Sequence, residues 1–168
     1  MKIEEAFDGV ELVFLDTAPV IYYVEKNPHY FAVAKSVFDL IENEARLAVA
    51  SPVTLAECLV APIRNDFTQR QQEFVDFLTE GNNVSLEIID EDTGIEAAKF
   101  RAQYNLTLSD ALQVAVALQA NCDALLTNDV VFKRSRGAAP GFNNTPLWGC
   151  YTGLKLEKIK NLFQKMIK

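Results

Sequence analysis

Apolar positions along this chain fall into two rhythms, and the alternation between them predicts the fold. Short, mostly apolar runs occur at Val10–Leu15, Leu47–Ala50, Val84–Ile89 and Asp123–Thr127; such runs, bounded by turn residues, suit strands buried on both faces. Between them apolar residues return at helical spacing, as at Phe31, Ala34, Val37, Phe38 and Ile41 within Tyr30–Glu44. Further helices are expected at Val20–Val24 with Pro19 near the first turn, from the Ser51-Pro52 start onward, and at Thr68–Thr79, Thr93–Tyr104 and Thr107–Ala120. Gly81-Asn82-Asn83 and Asn105 serve as stops. Strand and helix in alternation predict an α/β fold with a mainly parallel sheet of four or five strands. Residues 134–146, rich in Gly, Pro and Asn, read as a loop to an edge strand at Leu147–Tyr151. A last helix is expected at Lys155–Lys168, with Leu156, Ile159, Leu162, Phe163 and Met166 on one side.

Length and charge refine this picture. The 168 residues suit one domain, 1–168, with a basic C-terminal extension from about residue 133. Residues 1–129 hold 8 Lys and Arg against 22 Asp and Glu, whereas residues 130–168 hold 8 against Glu157 alone. A net −14 followed by +7 suggests a basic surface for a polyanion or acidic partner, or simply a solvated tail. No apolar run approaches the roughly 18 residues that span a bilayer. The acidic N-terminus lacks the layout of a signal peptide, so a soluble, cytoplasmic protein is expected.

The residue inventory then narrows the chemistry. Cys58, Cys122 and Cys150 are far apart and read as core residues rather than disulfide or zinc partners. His29 is the only histidine, and no G-x-S-x-G elbow accompanies it, which argues against a serine triad. Carboxylates remain. Asp16 and Asp129 follow the first and fourth strands, and Glu57 and Asp110 lie near helix starts. Ligands of parallel α/β sheets collect beyond the carboxyl ends of strands. Four acids gathered there would repel one another unless a cation sat among them, and Mg²⁺ or Mn²⁺ suits such oxygen donors. Each acid also has an ordinary reading. Thr107-x-x-Asp110 and Thr54-x-x-Glu57 match capping boxes, Asp16 could cap the first helix, and Asp129 could be a turn residue.

From about Val13 to Phe132 the chain resembles the PIN-domain family, including VapC-type toxins of toxin–antitoxin pairs. FLDTAPVIYYVE resembles the family's opening strand, with Asp16 as its first acid and Thr17 as the neighbouring hydroxyl. ASPVTLAECLVAP resembles the second motif, with Glu57 as its acid. LSDALQVAVALQANCDALLTNDVVF is similar to the most diagnostic stretch, in which Asp110 opens a helix and Thr127-Asn128-Asp129 ends a strand. The resemblance implies a three-layer α/β/α sandwich, a Mg²⁺ or Mn²⁺ pocket and hydrolysis of RNA. It also implies homodimers and, for a toxin, an antitoxin protein that blocks the site.

On that reading Asp16, Asp110 and Asp129 hold the metal, while Glu57 is a ligand or orients the attacking water. Thr17, Thr127 and Asn128 place water or a phosphate oxygen. Lys133, Arg134 and Arg136 offset the charge of the RNA backbone. The alternative is a non-catalytic protein-binding module on the same fold. A phosphotransfer enzyme of the haloacid-dehalogenase type is disfavoured because Ala18 stands where its Asp-x-Asp motif needs a second acid. No glycine-rich nucleotide-binding motif follows any strand.

Overall fold

A computed structural model describes residues 7, 9–43, 46–127 and 149–152, the last four as backbone. The elements run β1 (Leu12–Leu15), α1 (Thr17–Val24), α2 (Phe31–Asn43), β2 (Leu47–Ala50), α3 (Pro52–Arg64), α4 (Thr68–Thr79), β3 (Val84–Leu86), α5 (Glu91–Tyr104), α6 (Leu108–Gln119), β4 (Ala124–Thr127) and β5 (Gly149–Thr152). The helix expected at Lys155–Lys168 lies outside the described residues.

The sheet order is β3-β2-β1-β4-β5. The first four strands are parallel, with Phe14 opposite Val49 and Leu125, and β5 joins β4 antiparallel. Side chains alternate across a strand, which divides the core in two. Phe14, Val49 and Leu125 pack under α5 and α6 with Ala97, Phe100, Ala111 and Val114. Val13, Leu15, Ala48, Ala50, Ala124 and Leu126 face the other way, against Val20, Phe38, Ile41, Cys58, Phe74 and Leu78 of α1 to α4. The result is the three-layer α/β/α sandwich. Cys58 and Cys122 are buried, as expected of core residues.

Where boundaries differ from the sequence pattern, a local reason is visible. The first helix starts at Thr17 rather than Val20, because a proline in the first turn gives up no intrahelical bond. α5 starts at Glu91 because Asp90 caps it, accepting from the Thr93 amide at 2.8 Å. β3 stops at Leu86 rather than Ile89. Among the described residues its one neighbour is β2, which turns away at Ser51, and the pairing ends with the Glu87 amide donating to the Ala50 carbonyl at 2.9 Å. Gly81 ends α4, since a Cβ there would run into the Phe77 carbonyl oxygen.

From β1 the chain builds outward to β2 and β3, then crosses back to place β4 on the other side of β1. A crevice opens at such a switch point, beyond the carboxyl ends of β1 and β4.

Candidate active site

Asp16 is the first residue past β1. Its amide donates to the Leu126 carbonyl at 3.0 Å, carrying the β1–β4 pairing to the crevice. Oδ1 accepts the Thr17 amide at 2.7 Å and caps α1, while Oδ2 accepts the Thr127 hydroxyl at the end of β4. Asp16 is therefore a helix cap, as its ordinary reading held. Its acidity is also shifted. Burial pushes its carboxyl above the ordinary 3.8, the hydrogen bonds from Thr127 and Thr17 pull it back, and the charges of Glu57 and Asp110 push it up again.

Glu57 arrives on α3. Ser51 caps that helix in a reciprocal box with Thr54, which places Glu57 one turn further in and frees it from capping. Thr54 is fully buried and donates its hydroxyl to the Leu15 carbonyl at 3.2 Å, fastening α3 to the end of β1. One turn on, Glu57 Oε2 accepts the Thr17 hydroxyl at 2.5 Å.

Asp110 arrives on α6. Thr107 caps the helix by accepting the Asp110 amide at 3.2 Å and donates its hydroxyl to Asp110 Oδ2 at 2.6 Å. The reciprocal half of a capping box, which α3 and α5 both have, is not formed here. Asp110 keeps a carboxylate that Asp16 senses electrostatically.

The structure thus gathers Asp16, Glu57, Asp110, Thr17 and Thr127 at one edge of the sheet. Both threonine hydroxyls donate to carboxylates, so they hold acids in place. The sequence reading missed Gln113, which is only 4% exposed and lies 3.4 Å from Glu57 Oε2 and 3.5 Å from Thr17 Oγ1 through Nε2. Its spacing from Asp110, one helical turn on the same face, was the available signal. Asn128, Asp129, Lys133, Arg134 and Arg136 lie outside the described residues.

The donors are all carboxylate oxygens, the chemistry a hard divalent cation requires. Among the described residues no three acids, histidines or cysteines form a group able to hold a metal by themselves. An ion such as Mg²⁺ takes one or two carboxylates and keeps several waters, so Asp16, Glu57 and Asp110 are the described residues that could contribute to holding one. Among the described residues no Lys or Arg forms an ion pair with Asp16, Glu57 or Asp110.

A mainly parallel α/β sandwich with an acidic crevice at its switch point is the class that fold and geometry define. The PIN domain family model matches residues 13–137, and the chain belongs to that family. No curated protein sequence matches it. Among solved structures it is similar to Mycobacterium tuberculosis VapC20, a sarcin–ricin loop cleaving toxin, at 14% identity. That alignment covers 67% of this chain and 86% of the other, with a TM-score of 0.56. VapBC2 from Rickettsia felis, solved on a DNA fragment from its promoter, aligns at 23% identity over 73% of this chain and 92% of that one, TM-score 0.55. A toxin–antitoxin complex from Klebsiella pneumoniae aligns at 21% over 70% and 87%, TM-score 0.52. Among the described residues no helix is long and apolar enough to cross a membrane.

Proposed function

We propose that this protein is a metal-dependent endoribonuclease and the toxin of a toxin–antitoxin pair. The observation that carries the reading is the gathering of Asp16, Glu57 and Asp110 at the switch point of a PIN-family sheet, with Asp16 held by Thr127 and Glu57 by Thr17. The similarity to VapC20 and to two toxin–antitoxin complexes supports it.

In this reading Asp16 and Asp110, with Asp129, hold a Mg²⁺ or Mn²⁺ ion directly or through water. The ion would supply an activated water and offset charge on the phosphate. Asp16 is fixed through both oxygens, so its carboxylate needs little reorganisation on binding. Glu57 is a further ligand of the ion or orients the attacking water. Thr17 and Thr127 set the directions of the two carboxylates, and Asn128 positions water or a phosphate oxygen. Lys133, Arg134 and Arg136 grip the RNA backbone, which an all-acid crevice would repel.

Protein partners, an antitoxin and a second copy of the chain, also belong to this proposal. The exposed apolar row Val60, Ile63 and Phe67 along α3 and its turn supports a protein contact. The same row is what favours the second reading, a non-catalytic binding module.

Cleavage of a structured RNA pool, with and without Mn²⁺ or Mg²⁺ and beside an Asp16→Asn control, tests the proposal. Metal-dependent cutting that the control lacks supports the nuclease. No cutting and no metal binding by calorimetry would favour the binding module.

A further inference from the structure

Gln113 stands where a polar side chain is costly. It is 4% exposed on α6, flanked by buried Val114, Ala115, Val116 and Ala117. An amide in such surroundings is destabilising unless it is hydrogen-bonded. Its Nε2 reaches Glu57 Oε2 at 3.4 Å and Thr17 Oγ1 at 3.5 Å, the long end of the hydrogen-bond range. Chemistry fixes which end of the amide faces this pair. An ionised carboxylate only accepts, so the NH₂ must point to Glu57.

The three groups form a triangle drawn from three helices, α1, α3 and α6. Glu57 Oε2 collects both donors, the Thr17 hydroxyl and the Gln113 amide. Glu57 Oε1 accepts no hydrogen bond among the described residues, and neither does Gln113 Oε1. Glu57 is itself exposed, so little packing restrains its carboxylate. The buried amide is the rigid member of the set.

We propose that Gln113 is a positioning residue of the active site. With Thr17 it locks Oε2 of Glu57, so that Oε1 remains as the oxygen available to a divalent cation or to the attacking water. This rests on the nuclease reading above and adds to it a residue outside the acidic set.

The test uses the full chain and two readouts, single-turnover and steady-state RNA cleavage and Mn²⁺ binding by calorimetry without RNA. Gln113→Met keeps the side-chain length and removes the amide. It is expected to lower kcat and Mn²⁺ affinity by about tenfold or more, the usual cost of removing a residue that orients a ligand, with KM for RNA and the thermal midpoint unchanged. Gln113→Asn keeps the amide, withdraws it by one methylene, and should fall between wild type and Met; it also serves if the Met variant folds poorly. In a Glu57→Gln background, Gln113→Met should cause no further loss, because it acts through Glu57. Variants that keep wild-type kcat and Mn²⁺ affinity overturn the inference alone, as does a loss that adds in full to that of Glu57→Gln. Wild-type protein that neither binds Mn²⁺ nor cuts RNA removes the nuclease reading and this inference together.

Discussion

Thr17 donates its hydroxyl hydrogen to Oε2 of Glu57 at 2.5 Å, across 40 positions of sequence. Because Thr17 is also the first residue of α1, directly behind the cap Asp16, one dipeptide holds two acids. Thr17→Val keeps the shape and removes the donor. RNA cleavage is expected to fall about 10- to 100-fold, while RNA binding measured by filter retention in EDTA stays at the wild-type value. Equal loss of both would mean that Thr17 touches the RNA instead.

Asp16 links the site to pH. Its carboxyl stays protonated to higher pH when folded than when unfolded, chiefly through burial. The stability this group contributes is fully present below the ordinary 3.8 and is lost as pH rises through the raised folded value. At neutral pH the ionised carboxylate is therefore a net cost in the metal-free protein. Asp16→Asn keeps the helix cap and removes the charge. It is expected to melt higher than wild type in EDTA at pH about 7, by about 2–4 °C for each kcal/mol relieved, and the gap should close near pH 4. Circular dichroism melts at the two pH values decide this; a lower midpoint for the variant at neutral pH would refute it.

Divalent cation should reverse that order. Mn²⁺ at about 100 times its dissociation constant adds about 2.7 kcal/mol to the wild type. Asp16→Asn should gain much less in the same scan, and identical gains would place the ion elsewhere.

Neutralising Lys133, Arg134 and Arg136 together should flatten the salt dependence of RNA binding. The slope of log affinity against log salt is expected to fall by about 2, at roughly 0.7 for each single-strand phosphate contact. An unchanged slope would leave these residues as surface charge.

Thr54→Val tests the fastening of α3 to β1. The variant loses the bond to the Leu15 carbonyl and the half of the box in which Thr54 Oγ1 accepts the Ser51 amide, while the Thr54 amide still donates to Ser51 Oγ. A destabilisation of about 1–2 kcal/mol in urea unfolding is expected.

Most of the architecture could be read from local chemistry. Ser51-Pro52 announced α3, Asn105 ended α5 in the left-handed conformation, and the apolar runs located the parallel strands. Thr54-x-x-Glu57 matches a capping box in the sequence, but the box that forms is Ser51–Thr54, which places Glu57 one turn further in. What stayed hidden depends on partners distant in sequence. Gln113 looks like one more polar residue on a helix until α1 and α3 bring Thr17 and Glu57 to it. The early stop of β3 likewise depends on where β2 turns away. The Ile88 side chain continues the apolar run there and is 71% exposed.

The antiparallel pairing of β5 has a consequence for how such a protein can diversify. Thr127 lies opposite Gly149, so both ends of the connection through residues 128–148 are anchored at the acid edge. Ala124 lies opposite Thr152, so the chain departs for Lys155 and the residues after it from the far edge. Lengthening a connection between fixed anchors costs little, about 0.6 kcal/mol for each doubling. The fold therefore tolerates change in the length of the connection between β4 and β5 while the register of the strand pair stays fixed.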